Sequence, residues 1–210
     1  MPDSAEVSPR PKTVPPKPAA SLVVLRDGAE VLMGMRGAGH RFMPNRLVFP
    51  GGRVDRADLR APAATPLAPH VRALVEKNAS PALAHGLAIA VARELAEETG
   101  LSLGLSLGAP PSLDGLDYLC RAVTPPGLPI RFNARFFVID AARARGTLAG
   151  SGELEGLRFY PIAEALALNL ALATRFVLDT LKLWLTLSSQ ERAARTTTPL
   201  LRFRRGFTEK

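Results

Sequence analysis

Short apolar runs separated by turn signals dominate the first fifty residues. Residues 21–25 (SLVVL) and 31–35 (VLMGM) flank the sequence RDG at 26–28, which favours a tight turn. Residues 46–49 form another short run that leads into Pro50-Gly51-Gly52. The pattern predicts a β-hairpin, a further short strand and a sharp loop in which glycine permits close backbone approach.

One helix is bounded by signals at both ends. Residues 82–99 follow Ser80-Pro81, which is typical of a helix start, and precede Gly100, which is typical of a helix end. Apolar side chains recur every four positions and predict one buried stripe, formed by Leu87, Val91 and Leu95.

The other segments complete an α/β pattern. Residues 59–80 are rich in Pro and Ala, predict at most one short helix near 71–77, and look like an insertion. Strand patterns follow, and residues 162–187 predict a helical C-terminal region. The order of elements predicts a mixed α/β sandwich. The predicted later strands are 118–123, 131–139 and 157–160.

Length and composition predict one folded domain over residues 20–187. The chain has 210 residues, of which 47% are hydrophobic and 22% charged. Residues 1–19 are Pro-rich and polar, and we expect them to be disordered. Residues 188–210 are predicted to be a basic, solvated tail. No signal peptide or membrane span is recognised, so the sequence predicts a cytoplasmic protein.

Charge favours an anionic partner. Lys and Arg number 27 against 19 Asp and Glu, a net charge of +8. Aromatic residues make up only 6% and are not interleaved with the basic ones, so nucleic-acid binding is not expected. The single cysteine, Cys120, and three histidines exclude an intramolecular disulfide and a structural zinc site.

Three carboxylates converge on one edge of the predicted helix. Glu94, Glu97 and Glu98 fall within an arc of roughly 100°. They repel one another and lie in the last turn, where the helix dipole disfavours anions, so a cation should compensate them. Mg²⁺ or Mn²⁺ takes such oxygen ligands, and Arg93 could hold a carboxylate in place. The alternative is a solvated helix end with an ordinary Arg93–Glu97 pair.

These residues resemble the box of the Nudix hydrolase superfamily, G-x5-E-x7-R-E-U-x-E-E-x-G-U, in which U is aliphatic. Residues 93–101 (RELAEETGL) match its second half at every specified position, and FPGG at 49–52 precedes them. Asp58 stands at the position of the first glutamate. Arg93 follows it by 35 positions where the box has eight, so about 27 residues are inserted. The resemblance implies a Nudix-type α/β/α sandwich with a mixed sheet.

The start FPGGxxDxxD followed by an insertion looks like the branch that includes peroxisomal coenzyme A diphosphatase-like proteins. An upstream signature of that branch is matched in spacing by Arg36 and Arg41, although Gly34, Gly37 and Asn45 replace its other residues. The resemblance implies cleavage of coenzyme A or an acyl-coenzyme A into 3′,5′-ADP and (acyl-)phosphopantetheine. Arg36 and Arg41 would contact its phosphates, or else are ordinary surface arginines.

The resemblance also implies roles for the box residues. Glu97, Glu98 and the Gly51 carbonyl would ligate Mg²⁺ or Mn²⁺, and Glu94 would be a further ligand or the general base. Arg93 would orient the carboxylates, and Gly52 would lie against substrate. The candidates for a remote acidic ligand are Glu153 and Glu155, with Glu153 preferred.

Three alternatives remain at this stage. The enzyme could cleave another nucleotide, such as a nucleoside diphosphate sugar, a dinucleotide or an oxidised nucleotide. A Nudix fold could also act as a nucleotide sensor without hydrolysis. The third is an adaptor that uses the basic tail; deletion of the tail should barely affect an enzyme. The insertion is expected to cover the active site or to form the contact of a homodimer.

Overall fold

The computed structural model describes residues 14–37, 39, 44–202 and 205–209, the last of these as backbone alone. They form eleven strands, five α-helices and one 3₁₀ turn at Ala141–Arg143. The strands are β1 Lys17–Arg26, β2 Glu30–Arg36, β3 Leu47–Val48, β4 Gly51–Arg53, β5 Leu101–Ser102, β6 Asp117–Val123, β7 Phe132–Asp140, β8 Arg145–Gly146, β9 Leu154–Pro161, β10 Thr198–Arg202 and β11 Arg205–Glu209. The helices are α1 Pro69–Glu76, α2 Pro81–Thr99, α3 Ile162–Ala167, α4 Leu172–Leu185 and α5 Ser189–Ala193.

A mixed sheet of nine strands forms the centre, with the path β11-β10-β6-β7-β1-β2-β3. Strand β4 pairs with β1, and β9 pairs with β2. The contacts β1–β7 and β6–β10 are parallel, whereas β1–β2, β1–β4 and β6–β7 are antiparallel. Strands β5 and β8 form a separate small ladder.

Helices cover both faces of this sheet. On β1, Leu22 and Val24 belong to the core beneath α1 and α2, whereas Val23 and Leu25 belong to the core beneath α4. This alternation is the period of a strand that is buried on both sides. The predicted α/β/α sandwich with a mixed sheet is confirmed.

Helix α2 has the boundaries that its flanking residues predict. Ser80 Oγ accepts a hydrogen bond from the Leu83 amide at 3.2 Å, and Gly100 adopts a left-handed conformation with φ of 72°. The predicted stripe is fully buried: Leu87, Val91 and Leu95 have no exposed surface. The helix is therefore fixed along its whole length against the sheet.

Several predicted boundaries need correction. The N-terminal segment 1–19 was predicted to be disordered, but β1 begins at Lys17, because its first residues pair with Phe132, Asn133 and Ala134 of β7. The helical region 162–187 is two helices, broken between Ala167 and Leu172. The segment 59–80 contains α1, whose Val71, Leu74 and Val75 join the core under α2.

The prediction of a solvated tail at 188–210 is wrong. The segment forms α5, β10 and β11, and β10 extends the central sheet beside β6. Arg195 donates a hydrogen bond to Asp117 Oδ1 at 2.6 Å, and the Arg192 guanidinium stacks on Trp184 at 3.5 Å from the ring centroid. Within the described part of the chain, no helix is long and apolar enough to cross a membrane.

Candidate active site

The C-terminal end of α2 lies against the two glycines of β4. The Gly51 amide donates a hydrogen bond of 2.8 Å to Glu98 Oε2. Gly51 has a φ of 153°, and a Cβ there would collide with β1 at Ser21. A Cβ at Gly52 would overlap the Glu94 carboxylate. Gly51 therefore needs glycine because of its φ and its close approach to β1, and Gly52 needs it because the Glu94 carboxylate lies against its Cα.

Arg93 holds the acidic side chains in fixed positions. Its Nε and Nη2 donate to the two oxygens of Asp58, each at 3.0 Å. Its Nη1 donates to Glu94 Oε1 at 2.8 Å and to Glu97 Oε2 at 3.0 Å. Nη2 also reaches the Arg53 carbonyl at 3.0 Å, so one guanidinium joins α2 to β4 and to the start of the insertion.

Asp58 is the buried anchor of this group. Its side chain is only 3% exposed, and Oδ2 also accepts a hydrogen bond from the Asp55 amide at 2.8 Å. The hydrogen bond from Arg93 to Asp58 raises the pKa of Arg93 above its ordinary value. The aspartate at the first box position therefore fixes the arginine across the inserted residues.

The two carboxylates that face inward are incompletely compensated. Burial raises the pKa of Glu98 to about 8; the Gly51 amide opposes this rise, and the negative charge of Glu94 adds to it. Burial also raises the pKa of Glu94, whereas Arg93 lowers it. Glu153 contributes to the repulsion at both side chains. The site favours an added positive charge.

A cavity of about 1340 Å³ opens in front of these carboxylates. Its charged end is lined by Glu94, Glu98, Glu153, Arg36 and Arg53. Its other end lies on the α4 face of the sheet, with the apolar Phe49, Phe136 and Leu201 and the basic Lys17 and Arg131 among its walls. The volume exceeds the range of about 300–1,000 Å³ that is usual for drug-sized ligands.

Arg36 has an unpaired polar atom at the charged end. Its Nε is buried and has no hydrogen-bond partner. The guanidinium also acts on Glu98, where its positive charge lowers the pKa. A buried donor without a partner is costly, and an anionic ligand at this position would satisfy it.

Of the other predicted acidic residues, only Glu153 lies in the cavity. Glu153 lies in the cavity lining, whereas Glu155, the second candidate, pairs with Met35 in the β2–β9 ladder and is not part of that lining. Glu97 is on the outer flank, 57% exposed and bound to Arg93. Arg41 lies outside the described residues.

Sequence reasoning missed two contributors to the site. The pairing of Asp58 with Arg93 was not predicted, although its signal was the aspartate at the position of a box glutamate. The contribution of Leu201 was also missed, because the tail was interpreted from its charge. The signal there was the run TPLLR at 198–202, which has the composition of a short strand.

Comparisons with solved structures identify the fold. The chain is similar to a NUDIX hydrolase from Alicyclobacillus acidocaldarius, with 25% identity, a TM-score of 0.62, and coverage of 84% of this chain and 98% of that one. It is also similar to a MutT NUDIX hydrolase from Burkholderia pseudomallei, with 20% identity, a TM-score of 0.52, and coverage of 80% and 98%. A third similar structure is the NUDIX domain of Shewanella oneidensis NrtR, complexed with ADP-ribose, with 16% identity, a TM-score of 0.51, and coverage of 82% and 90%.

No family model matches the chain, and no curated protein matches it. The inserted residues between Asp58 and Arg93 interrupt the linear spacing of the box. The chain has the fold of Nudix hydrolases and carries the intact second half of their box, and both observations support a hydrolase of this type.

A Nudix fold implies a divalent metal, and the donor set can be tested for it. Among the described residues, no three carboxylate, imidazole or thiolate groups are already arranged as a metal centre. Glu94, Glu98 and Glu153 nevertheless line one cavity, and the charge of Glu153 raises the pKa of both Glu94 and Glu98. Oxygen donors with excess negative charge fit a hard cation such as Mg²⁺ or Mn²⁺.

Proposed function

We propose that the protein hydrolyses the diphosphate bond of a nucleoside diphosphate derivative in a metal-dependent reaction. Coenzyme A or an acyl-coenzyme A is the proposed substrate, and 3′,5′-ADP and (acyl-)phosphopantetheine are the products. One observation carries the proposal: Glu94 and Glu98 share a cavity with Arg36, whose buried Nε has no partner. The carboxylates can bind a cation, and the adjacent guanidinium can bind an anion. This combination suits a diphosphate that is bound together with a metal ion.

The metal ligands in this proposal are Glu98, Glu94, Glu153 and the Gly51 carbonyl. Glu97, which lies on the outer flank of α2, would be a further ligand at the edge of the same metal site. When bound by these residues, Mg²⁺ or Mn²⁺ would supply positive charge for phosphate oxygens and would lower the pKa of a water molecule. In this proposal Glu94, which accepts a hydrogen bond of 2.8 Å from Arg93, would accept a proton as an alternative to direct ligation.

Arg36 binds phosphate oxygens in this proposal, because its guanidinium provides forked donors and its Nε is free for a ligand. Gly52 lies against the Glu94 carboxylate and lines the cavity, and its role as a substrate contact is retained from the resemblance. Arg93 is a positioning residue, since its hydrogen bonds go to Asp58, Glu94, Glu97 and a backbone carbonyl.

The choice of coenzyme A rests on the upstream arginine signature and on the basic lining of the cavity. Lys17, Arg46, Arg53 and Arg131 line it in addition to Arg36, which suits a substrate with a third phosphate besides the diphosphate. Arg41 is retained as a substrate contact from the sequence signature. A cytoplasmic location and a homodimer stay predictions.

A product analysis tests the proposal. Wild type and Glu98→Gln are incubated with Mg²⁺ or Mn²⁺ and with coenzyme A, acetyl-coenzyme A, ADP-ribose, NADH or nucleoside triphosphates. We expect wild type to release 3′,5′-ADP from the coenzyme A substrates and the variant to lose this activity. Cleavage of a different substrate would overturn the coenzyme A assignment. No cleavage of any substrate would overturn hydrolysis in favour of a sensor.

A further inference from the structure

The apolar end of the cavity is a continuation of the diphosphate site. One residue from each of five strands stands in register across the sheet: Arg53, Ala19, Ala134, Ala122 and Leu201. All five line the cavity. Because neighbouring strands lie about 4.8 Å apart, this row is about 19 Å long. It leads from the charged end at β4 to the C-terminal strand β10.

The depth of the cavity along this row has a simple cause. Ala19, Ala134 and Ala122 are short side chains on the same face of three adjacent strands. Helix α4 covers the rest of this face but begins only at Leu172, whose neighbourhood forms one rim of the cavity. The cavity is therefore deep where short alanine side chains form its base and no helix covers them. The rings of Phe49 and Phe136 lie beside this base, with their centroids 6.5 Å apart.

The lining of the cavity includes exposed aliphatic side chains from two elements. Leu172 at the start of α4 is 66% exposed, and Leu128 in the β6–β7 loop is 47% exposed, and both line the cavity. Exposed leucines that line one cavity indicate an apolar ligand. Lys17 and Arg131 line the cavity near this end, whereas the row across the sheet itself consists of three alanines and a leucine beyond Arg53, so an aliphatic group fits against the row.

We propose that this apolar end binds an elongated aliphatic chain carried on the non-nucleotide phosphate of the substrate, and that Leu172 and Leu201 determine specificity for it. The inference rests on the proposed function for the position of the diphosphate, which Arg36 would hold at the charged end beside the carboxylates of α2. In a coenzyme A substrate the chain would be the acylated pantetheine arm. The C-terminal strand is thus a wall of the substrate site.

Binding can be measured without turnover. The probes are adenosine diphosphate esters that carry a methyl or an octyl group on the β-phosphate, titrated by calorimetry in EDTA. We expect wild type to bind the octyl ester at least about tenfold more tightly than the methyl ester, since each methylene in an apolar pocket contributes measurably. A ratio of Kd values near one in wild type would overturn the inference.

Matched variants assign the effect to this end of the cavity. Leu172→Ser and Leu183→Ser change leucines of the same helix with similar exposure, 66% and 70%, but only Leu172 lines the cavity. We expect Leu172→Ser to reduce the octyl-to-methyl ratio several-fold and Leu183→Ser to leave it unchanged. Ala134→Leu, which fills the base of the cavity, should bring the ratio close to one. Equal effects of the two serine variants would contradict the proposal.

Turnover of the same esters with Mg²⁺ separates the two proposals. Chain-dependent binding without hydrolysis would leave the aliphatic site standing and overturn the proposed function. Hydrolysis with no preference for the octyl chain would support the proposed function and overturn the aliphatic site. A circular dichroism melt of each variant shows whether a changed ratio follows from a changed fold.

Discussion

Asp58 and Arg93 form a two-point ion pair across the insertion. Both carboxylate oxygens accept hydrogen bonds from the guanidinium at 3.0 Å, and the aspartate is almost completely buried. The same guanidinium binds Glu94 and Glu97. The geometry of the acidic edge of α2 therefore depends on a residue that lies 35 positions earlier in the chain.

Replacement of Asp58 should affect the activity and the fold together. Asp58→Ala leaves Arg93 without its buried partner, and we expect a loss of about 2 kcal/mol in the free energy of unfolding. Turnover should fall at least about tenfold because Glu94 is no longer held. The control is Asp55→Ala, since Asp55 is 63% exposed and 3.9 Å from Arg93. Urea unfolding and initial rates check both expectations, and similar values for the two variants would contradict this role.

Gly52→Ala should damage the site more than the fold. The added methyl group would overlap the Glu94 carboxylate, so Glu94 must move away from Arg93 and the cavity. We expect at least about a hundredfold loss in kcat/KM with a nearly unchanged melting temperature. Gly39→Ala is the matched control, because a Cβ at Gly39 meets no atom within 4 Å. Normal activity of Gly52→Ala would show that Glu94 need not occupy its observed position.

The raised pKa of Glu98 predicts that the stability of the protein in EDTA falls as the pH rises. Its pKa is raised from about 4.5 to about 8 in the folded protein, so the folded state prefers the neutral carboxyl group. Its contribution to stability is complete below pH 4.5 and is lost as the pH rises to about 8. At pH 8 in EDTA, Glu98→Gln should therefore melt at least about 2 °C higher than wild type. Added Mg²⁺ should raise the melting temperature of wild type and not of the variant. A lower melting temperature for Glu98→Gln in EDTA would contradict the raised pKa.

Removal of the C-terminal segment should destabilise the protein. A chain that ends at Leu187 loses β10 and the contacts of Arg195 with Asp117 and the Tyr118 carbonyl. We expect its melting temperature to fall by about 5 °C or more and its activity to be lost, because Leu201 is a wall of the cavity. A chain that ends at Arg202 keeps β10 and serves as the control. An active, equally stable chain ending at Leu187 would restore the interpretation of a dispensable tail.

Local signals account for what the sequence predicted correctly. Helix α2 carries its own cap, its own stop and a buried stripe with a four-residue period, and each of these was found as predicted. The hairpin of β1 and β2 was predicted for the same reason, from its apolar runs and its turn. Both elements are specified by neighbouring residues.

Distant pairings account for what was missed. Strand β10 is short, and its place in the sheet depends on β6, almost eighty positions earlier. The ion pair of Asp58 with Arg93 likewise depends on how the insertion folds back onto α2. The cavity requires Ala19, Ala134 and Ala122 to meet in register, and no segment of the sequence contains that information by itself.

The most direct test of the account is a phosphorus NMR time course of a coenzyme A substrate with Mg²⁺, for wild type and for Glu98→Gln. We expect the diphosphate resonances to be replaced by phosphomonoester resonances with wild type and to persist with the variant. Equal rates of conversion by the two proteins would contradict the assignment of Glu98 to the metal site. Persistence of the diphosphate with wild type would contradict hydrolysis of coenzyme A.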